Sequence, residues 1–260
     1  MAEIHDVCRL CGGNTKYLWS GSLLDITTVK YFDCPVCGYV QTEYPYWLER
    51  AYSEAINDSD TGIMARNLSN AKIVLATLLK LGQLHGTVLD CAGGYGILVR
   101  LLRDQGIEAQ WSDQYCKNLL ARGFEYTTGR KSLVTAFEAF EHFVNPAKEF
   151  DKLLTISPNL LLSSELIIGP TPAQNDWWYF AIEHGQHIGF FRLKTLEYLA
   201  KTRGKYLTTD GHSYHLFSDI PVNRFVWKKL LKFKKYLPGI IGKKLQSKTW
   251  QDSIDILKKG

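Results

Sequence analysis

No stretch of this sequence holds the roughly 18 uninterrupted apolar residues that a membrane-spanning helix needs. The opening residues, MAEIHDVCRLCGG, have no apolar core of a secretory leader, so the expected location is the cytoplasm. Internal repeats and low-complexity tracts are missing too, which removes solenoids and disordered arrays. The chain has no G-x-G-x-x-G, because Gly94-x-Gly96 is followed at the third place by Val99. It is also not uniformly basic. The net charge is +5, yet the 40 residues from Pro221 onward carry +9 and the preceding 220 carry −4. A mildly acidic body with a basic tail is not the charge footprint of a nucleic-acid binder.

What is present begins with six cysteines, divided four and two. Cys8-x2-Cys11 and Cys34-x2-Cys37 form two knuckles 22 residues apart. In a reducing compartment such pairs suit tetrahedral Zn2+ better than disulfides, and CPVCG has the Pro and Gly of a tight turn. Four thiolates leave no open position, so the expected zinc is structural. A redox role for either CxxC is the alternative. Cys91 and Cys116 read as ordinary packed residues.

The expected organisation is a zinc ribbon over residues 1–45, an α/β domain over 46–220 and a basic amphipathic tail over 221–260. YWLERAYSEAI and NAKIVLATLLKLG read as helices, the latter stopping at Gly82. A regular alternation follows. GTVLDC, IEAQWSD, LVTAFEAF and NLLLSSELI read as strands, separated by the helices GILVRLLRDQG, QYCKNLLARG and NPAKEFDKLLTIS. Strand and helix taking turns predicts a doubly wound, Rossmann-like parallel sheet. KTLEYLAKTRG is then a helix, and KYLTTDG with SYHLFSD a closing hairpin. Residues 169–190 fit neither period and form a long loop rich in aromatics and histidines. In the tail, Val226, Leu230, Phe233 and Leu237 recur at helical spacing, and Trp250, Ile254 and Leu257 resume the stripe. Two readings stand for it: packing on the body, or contact with an anionic membrane surface or polymer.

The stretch VLDCAGGYGILVRLL carries the chemistry. An apolar strand ends on Asp90, turns on glycines and starts a helix at once. A carboxylate there would repel a pyrophosphate seated on the helix N-terminus. It suits a cationic α-amino group such as that of S-adenosylmethionine, with the glycines letting backbone approach the ligand. Asp113, at the end of the next strand, is placed to take ribose hydroxyls of either cofactor.

VLDCAGGYG together with WSDQY and TAFEAFEHFVNP resembles the class I S-adenosylmethionine-dependent methyltransferases, over roughly residues 85–218. The family's first motif reads acid-x-G-x-G-x-G, and here Ala92 stands at the first glycine. The resemblance implies that Asp90, Ala92, Gly94 and Gly96 line the methionine end. It places Asp113 at the ribose, Gln114 beside the adenine, and Phe137 and Glu138 at the pocket wall. Phe137, Phe140 and Phe143 could equally pack a helix start, and Glu141-His142 could serve structure or hold a divalent metal.

The cysteine knuckles, PYWLERAYSEAINDSDTG and WWYFAIEHGQHIGFFRLKTLEYLA resemble methyltransferases that modify sugars in bacterial glycan and nucleotide-sugar pathways. Sugar C-methyltransferases of that kind carry H-E-H-x-x-Y-F, where this chain has Gly185-Gln186-His187-Ile188-Gly189-Phe190-Phe191. At Gln186 and Phe190 the titratable glutamate and tyrosine useful for removing a carbon-bound proton are absent, which shifts the expectation to a hydroxyl acceptor. His187 is the expected base, with His184 and Glu183 in reserve, because imidazole titrates near neutrality. Trp177, Trp178, Tyr179 and Gln186 are expected to contact the sugar or glycan. The competing readings are C-methylation, nucleic-acid methylation and a catalytically silent scaffold. No N/D-P-P-Y/F motif supports the second of these; FEAF stands there instead.

Overall fold

The computed structural model describes residues 6–24, 26–52 and 60–258. The helix expected through Ala55 is formed over α1 (Leu48–Ala51), and its continuation lies outside the described residues. In chain order the strands β1 (Lys16–Leu23), β2 (Ile26–Asp33) and β3 (Val40–Thr42) precede α1 and α2 (Ile63–Lys80). Then come β4 (Thr87–Cys91), α3 (Ile97–Asp104), β5 (Glu108–Ser112), β6 (Leu133–Phe137), α4 (Pro146–Ile156) and β7 (Leu160–Ser163). After these follow β8 (Gly189–Phe190), α5 (Leu193–Thr202), β9 (Tyr206–Thr209) and β10 (Tyr214–Ser218). The tail forms α6 (Arg224–Lys232), α7 (Leu237–Ile241) and α8 (Thr249–Leu257).

Six strands form the expected α/β sheet, in the order β5-β4-β6-β7-β10-β9. β4 runs parallel to both β5 and β6, with Asp90 opposite Trp111 and Thr135, while β9 and β10 form an antiparallel hairpin. Parallel strands buried on both faces need continuous apolar runs, and Val88, Leu89, Leu133 and Val134 meet that need at 0–1% exposure. In open sheets of this kind, ligand crevices lie beyond the carboxyl ends of the strands. Asp90 sits near that end of β4, Asp113 just past β5, and Glu138 just past β6.

A second, four-stranded antiparallel sheet has the order β1-β2-β3-β8. Its last strand comes from the stretch read as pure loop. Val40 pairs with Phe190 and Gln41 with Gly189. Gly189 has to be glycine, because a Cβ there would overlap the Tyr39 hydroxyl. Tyr31, Phe180, Phe190 and Ile188 are buried in this sheet's core, with Trp19 stacked on Tyr31 at 4.0 Å.

The chain divides into two compact units. One comprises Met1–Glu54, Glu138–Leu153 and Leu162–Asp219; the other comprises Ala55–Phe137, Leu154–Leu161 and Ile220–Gly260.

Three local expectations are corrected. Residues 114–123 form no helix, because their backbone donors are spent elsewhere. Asp113 Oδ1 accepts from the Tyr115 and Cys116 amides at 2.8 and 2.9 Å, and Asn118 Oδ1 accepts from Ala121 N at 2.9 Å. Such local side-chain bonds compete directly with helical ones. α2 starts at Ile63 rather than near Asn70, through a polar turn without an apolar stripe. The tail stripe is offset by one residue in α6, while Leu237, in α7, is buried as expected. In α6, Trp227 and Leu231 are buried while Val226 and Phe233 face solvent, and Trp227 Nε1 donates to Thr77 Oγ1 at 3.2 Å. In α8 the apolar Trp250, Ile254 and Leu257 are exposed, and the buried residue is Asp252. Among the described residues, no helix is long and apolar enough to cross a membrane.

Candidate functional site

The turn after β4 is built around a buried acid. Asp90 is 3% exposed and accepts a 2.7 Å hydrogen bond from Thr135 Oγ1 on the neighbouring strand. Burial pushes its carboxyl up to about 7; the Thr135 bond opposes that rise and the charge of Asp113 adds to it. Gly93 lies so close that a Cβ would sit 2.8 Å from Asp90 Oδ2 and from Trp111 Cδ1. Gly96 takes φ +83° as the N-cap of α3, where a side chain would press on Ala121. Ala92 adopts φ +55°, a left-handed conformation that a glycine meets without strain.

Asp113 knits this loop together. Its Oδ2 accepts from Gly94 N at 2.9 Å and its Oδ1 takes the Tyr115 and Cys116 amides. Three of the roughly four lone-pair positions of a carboxylate are thus in use. Trp111 Nε1 donates to Gly94 O at 2.9 Å, and Gln114 is exposed beside Asp113. Ala92, Gly94 and Gly96 therefore form the turn that follows Asp90, and Asp113, from the end of β5, is bonded to it at Gly94. Phe137 is half-buried as the last residue of β6.

In the other unit a second group of polar side chains gathers around Tyr179, which is 1% exposed. Its hydroxyl lies 2.7 Å from Glu141 Oε1 and 3.1 Å from Glu138 Oε2, with Ser164 Oγ at 3.4 Å. Glu138 is held by Ser163, whose Oγ donates to Oε1 at 2.5 Å, and takes φ +48°. One phenol has one proton to give. Both carboxyl contacts are satisfied only if one carboxyl is itself protonated and donates to the phenol oxygen. Glu141 fits that role, because burial, reinforced by the Glu138 charge, holds its carboxyl well above the usual range.

Two histidines complete the group. His142 Nδ1 lies 2.7 Å from the Tyr52 hydroxyl, and His187 Nδ1 lies 2.7 Å from the Tyr179 carbonyl oxygen. Their rings are 4.8 Å apart. Burial pushes His187 down to about 4 and His142 well below its ordinary value, so both are neutral imidazoles near pH 7. His184 lies near enough to lower His187 further, and Glu183 is exposed.

Of the residues read as sugar contacts, Tyr179 joins this network. Trp177 packs between Tyr179, Phe180 and Phe190, with ring distances of 5.2–5.8 Å. Trp178 is 77% exposed, and Gln186 Nε2 donates to Ala51 O at 2.8 Å. Phe140 is fully buried against Phe143 and Phe150, the packing role weighed for it. Sequence reading missed Thr135, Ser163, Ser164 and Tyr52. Nothing local marks them, since their partners lie 15–90 residues away.

The four N-terminal cysteines converge as the knuckles predict. Cys8 Sγ lies 3.7 Å from Cys37 Sγ, and Cys11 Sγ lies 3.4 Å from Cys34 Sγ. All four sulfurs fall within 4.8 Å of one another, an arrangement that could hold a metal ion. Tetrahedral Zn–S bonds of about 2.3 Å set sulfurs roughly 3.8 Å apart, so the donor set fits that ion. The hydrogen bond with Cys37 brings the Cys8 thiol down to about 5, against the opposing effect of burial, and the same bond pushes Cys37 up.

A family profile described as a methyltransferase domain matches residues 64–209. No protein of curated function matches the sequence. In fold the chain is similar to an O-methyltransferase family protein from Burkholderia thailandensis, at 17% identity and a TM-score of 0.49. That match covers 66% of this chain and 62% of the other, so the chain spans less than two thirds of that protein. It is also similar to the 1,6-didemethyltoxoflavin-N1-methyltransferase of Burkholderia thailandensis with bound S-adenosylhomocysteine. There the identity is 14%, the coverage 73% and 93%, and the TM-score 0.47. A third similar structure is the magnesium protoporphyrin IX methyltransferase of Synechocystis PCC 6803, at 15% identity, 65% and 90% coverage, and a TM-score of 0.41. With the matched profile spanning more than half of its length, the chain belongs to the methyltransferase-domain family, as the strand–turn–helix at residues 88–104 led us to expect.

Proposed function

We propose that this chain transfers the methyl group of S-adenosylmethionine to a hydroxyl of a sugar or glycan. The observation that carries the cofactor assignment is Asp90: a carboxyl buried beside the glycine turn at the end of β4, raised to about 7 by that burial. The α-amino group of S-adenosylmethionine supplies a cation for it, whereas a pyrophosphate would be repelled. Methyl transfer is an in-line displacement. The acceptor oxygen forms its bond to the methyl carbon as the carbon–sulfur bond breaks, the electron pair stays on sulfur, and S-adenosylhomocysteine leaves. Because the sulfonium is already electrophilic, positioning supplies most of the rate. A base that takes the hydroxyl proton adds about 10²- to 10⁴-fold.

His187 is the group we assign to that proton. Its ring is neutral near pH 7, and its Nδ1 is anchored on the Tyr179 carbonyl, leaving Nε2 for the acceptor. Hydroxyl rather than carbon acceptance is supported by Gln186 and Phe190, which stand where C-methylating relatives carry titratable groups. Trp178, largely exposed, offers an indole face to a sugar ring. Calorimetric titration tests the cofactor: Asp90→Ala should abolish S-adenosylmethionine binding, and unchanged binding would refute the assignment. Mass spectrometry of surface glycan from a deletion strain tests the acceptor, by loss of one methyl group.

Zinc at Cys8, Cys11, Cys34 and Cys37 belongs to this reading as a structural ion, supported by the sulfur spacings above. A second element is the tail, which we assign to an anionic membrane surface. Phe225 and Trp250 stand 82% and 81% exposed in a tail rich in lysine. Apolar insertion beside lysines is the chemistry of peripheral binding to anionic lipid. Cosedimentation with vesicles containing anionic lipid, but not with neutral ones, checks it.

A further inference from the structure

Within the unit that holds Tyr179, three side chains have the character of a metal site distinct from the cysteine cluster. We propose that Glu141, His142 and His187 bind a divalent first-row transition-metal ion. The ligand-capable atoms of the three lie within 4.8 Å of one another. Glu141 is completely buried, and among the described residues its Oε2 has no hydrogen-bond partner. An orphaned carboxylate oxygen in a protein interior calls for an explanation, and a cation shared by this carboxyl and the two imidazoles is one.

The outer contacts are those of a built site. Each histidine has its Nδ1 fixed, His142 by the Tyr52 hydroxyl and His187 by the Tyr179 carbonyl, both at 2.7 Å. Ligating imidazoles are held this way, with one ring nitrogen anchored so that the other presents its lone pair. Glu141 Oε1 already lies 3.8 Å from His142 Nε2 and 2.7 Å from the Tyr179 hydroxyl oxygen. The backbone fixes the spacing too, because Ile188 N, next to His187, donates to Glu141 O at 2.8 Å. Metal–ligand bonds of about 2.1 Å set neighbouring donor atoms roughly 3.0–3.4 Å apart, so binding draws the three side chains inward by small rotations. Two imidazoles and one carboxylate select Mn2+, Fe2+, Co2+ or Zn2+ over Ca2+ or Mg2+, and three protein ligands leave open positions for an oxygen donor.

The inference stands apart from the cofactor assignment, since metal binding needs no S-adenosylmethionine. It does bear on His187. A metal on Nε2 would take that nitrogen out of direct proton transfer, and the ion would then supply the acidification of a bound hydroxyl.

The test is a Co2+ titration of the full chain with its cysteine site loaded with zinc, followed by visible absorption. One equivalent of Co2+ should bind with ligand-field bands and no thiolate charge transfer in the near ultraviolet. Glu141→Gln and His187→Gln should each weaken binding at least 100-fold while leaving the zinc content unchanged. The proposal is overturned if no ligand-field band develops, if the only signal is thiolate charge transfer, or if the folded variants bind Co2+ like the parent. Should Glu141→Gln fail to fold, His187→Gln alone decides. Loss of transferase activity in His187→Gln without any metal binding would leave the base assignment standing and remove the metal.

Discussion

Arg103 and Asp252 meet in a two-pronged ion pair although 149 residues separate them: Nε donates to Oδ2 at 2.8 Å and Nη2 to Oδ1 at 2.7 Å. Burial by itself would raise the Asp252 carboxyl, but the bonds from Arg103 and Arg100 outweigh it and hold the group below its ordinary value. Arg103 also reaches Glu108 and lies over the Phe124 ring at 3.7 Å. One guanidinium therefore ties α8 and the irregular loop at Phe124 to α3. Removing one partner of a buried pair strands the other charge, at about 3–5 kcal/mol. Because Arg103 keeps Glu108 as a partner, Asp252→Ala should lower urea-unfolding stability by less than that amount. The double variant Arg103→Met/Asp252→Leu should recover most of it; if it does not, the pair contributes more than mutual neutralisation.

Tyr179 is the hub of the acidic group, and Tyr179→Phe deletes one oxygen that serves Glu138, Glu141 and Ser164. Hydrogen bonds to charged groups contribute about 1.5–3 kcal/mol. A thermal-denaturation loss in that range is expected. Glu141→Gln placed on top of Tyr179→Phe should cost less than it does in the parent, since the two share one network. Strict additivity would mean that Tyr179 and Glu141 do not communicate.

Metal removal should act on the cysteine-bearing sheet. Ligand binding to the folded state alone is folding free energy, and structural zinc supplies much of it in small modules. Chelation, or Cys37→Ser, should abolish the near-ultraviolet dichroism of the Trp19–Tyr31 stack and expose all four thiols to a thiol reagent. Unchanged melting after complete metal loss would contradict this.

Asp90 gives cofactor affinity a pH dependence of definite sign. Its carboxyl is raised from 3.8 to about 7, so the unliganded fold carries a proton there that the unfolded chain gives up. The stabilisation from this group is fully present below about pH 4 and is lost as pH rises through 7. An arriving ammonium favours the carboxylate, so binding below pH 7 expels that proton. Affinity for S-adenosylmethionine should climb by up to about tenfold per pH unit between 5 and 7, then level off. Calorimetry in buffers of different ionisation enthalpy counts the proton directly.

The alternation of strands and helices was legible because buried parallel strands must be apolar throughout, and Asp90 stood out against that background. The helix expected at 114–123 was not formed, since the Asp113 carboxylate and the Asn118 side-chain carbonyl capture amides it needs. Likewise β8 was hidden, because a two-residue strand has no period, and only the partner Tyr39 explains Gly189. The stripe on α6 was displaced because periodicity scores Val226 like Trp227, while burial favours the larger ring. Tyr179 was read as a sugar contact; its bonds to Glu138 and Glu141 span 41 and 38 residues and leave no local trace.

The most direct test pairs Asp90 with the ligand group it is held to recognise. Binding of S-adenosylmethionine and of an analogue lacking the α-amino group is measured for the parent and for Asp90→Asn. Asp90→Asn should weaken the natural cofactor at least tenfold while scarcely changing the amine-free analogue. If the substitution weakens both ligands equally, or neither, no carboxylate–ammonium contact holds the cofactor and the central assignment fails.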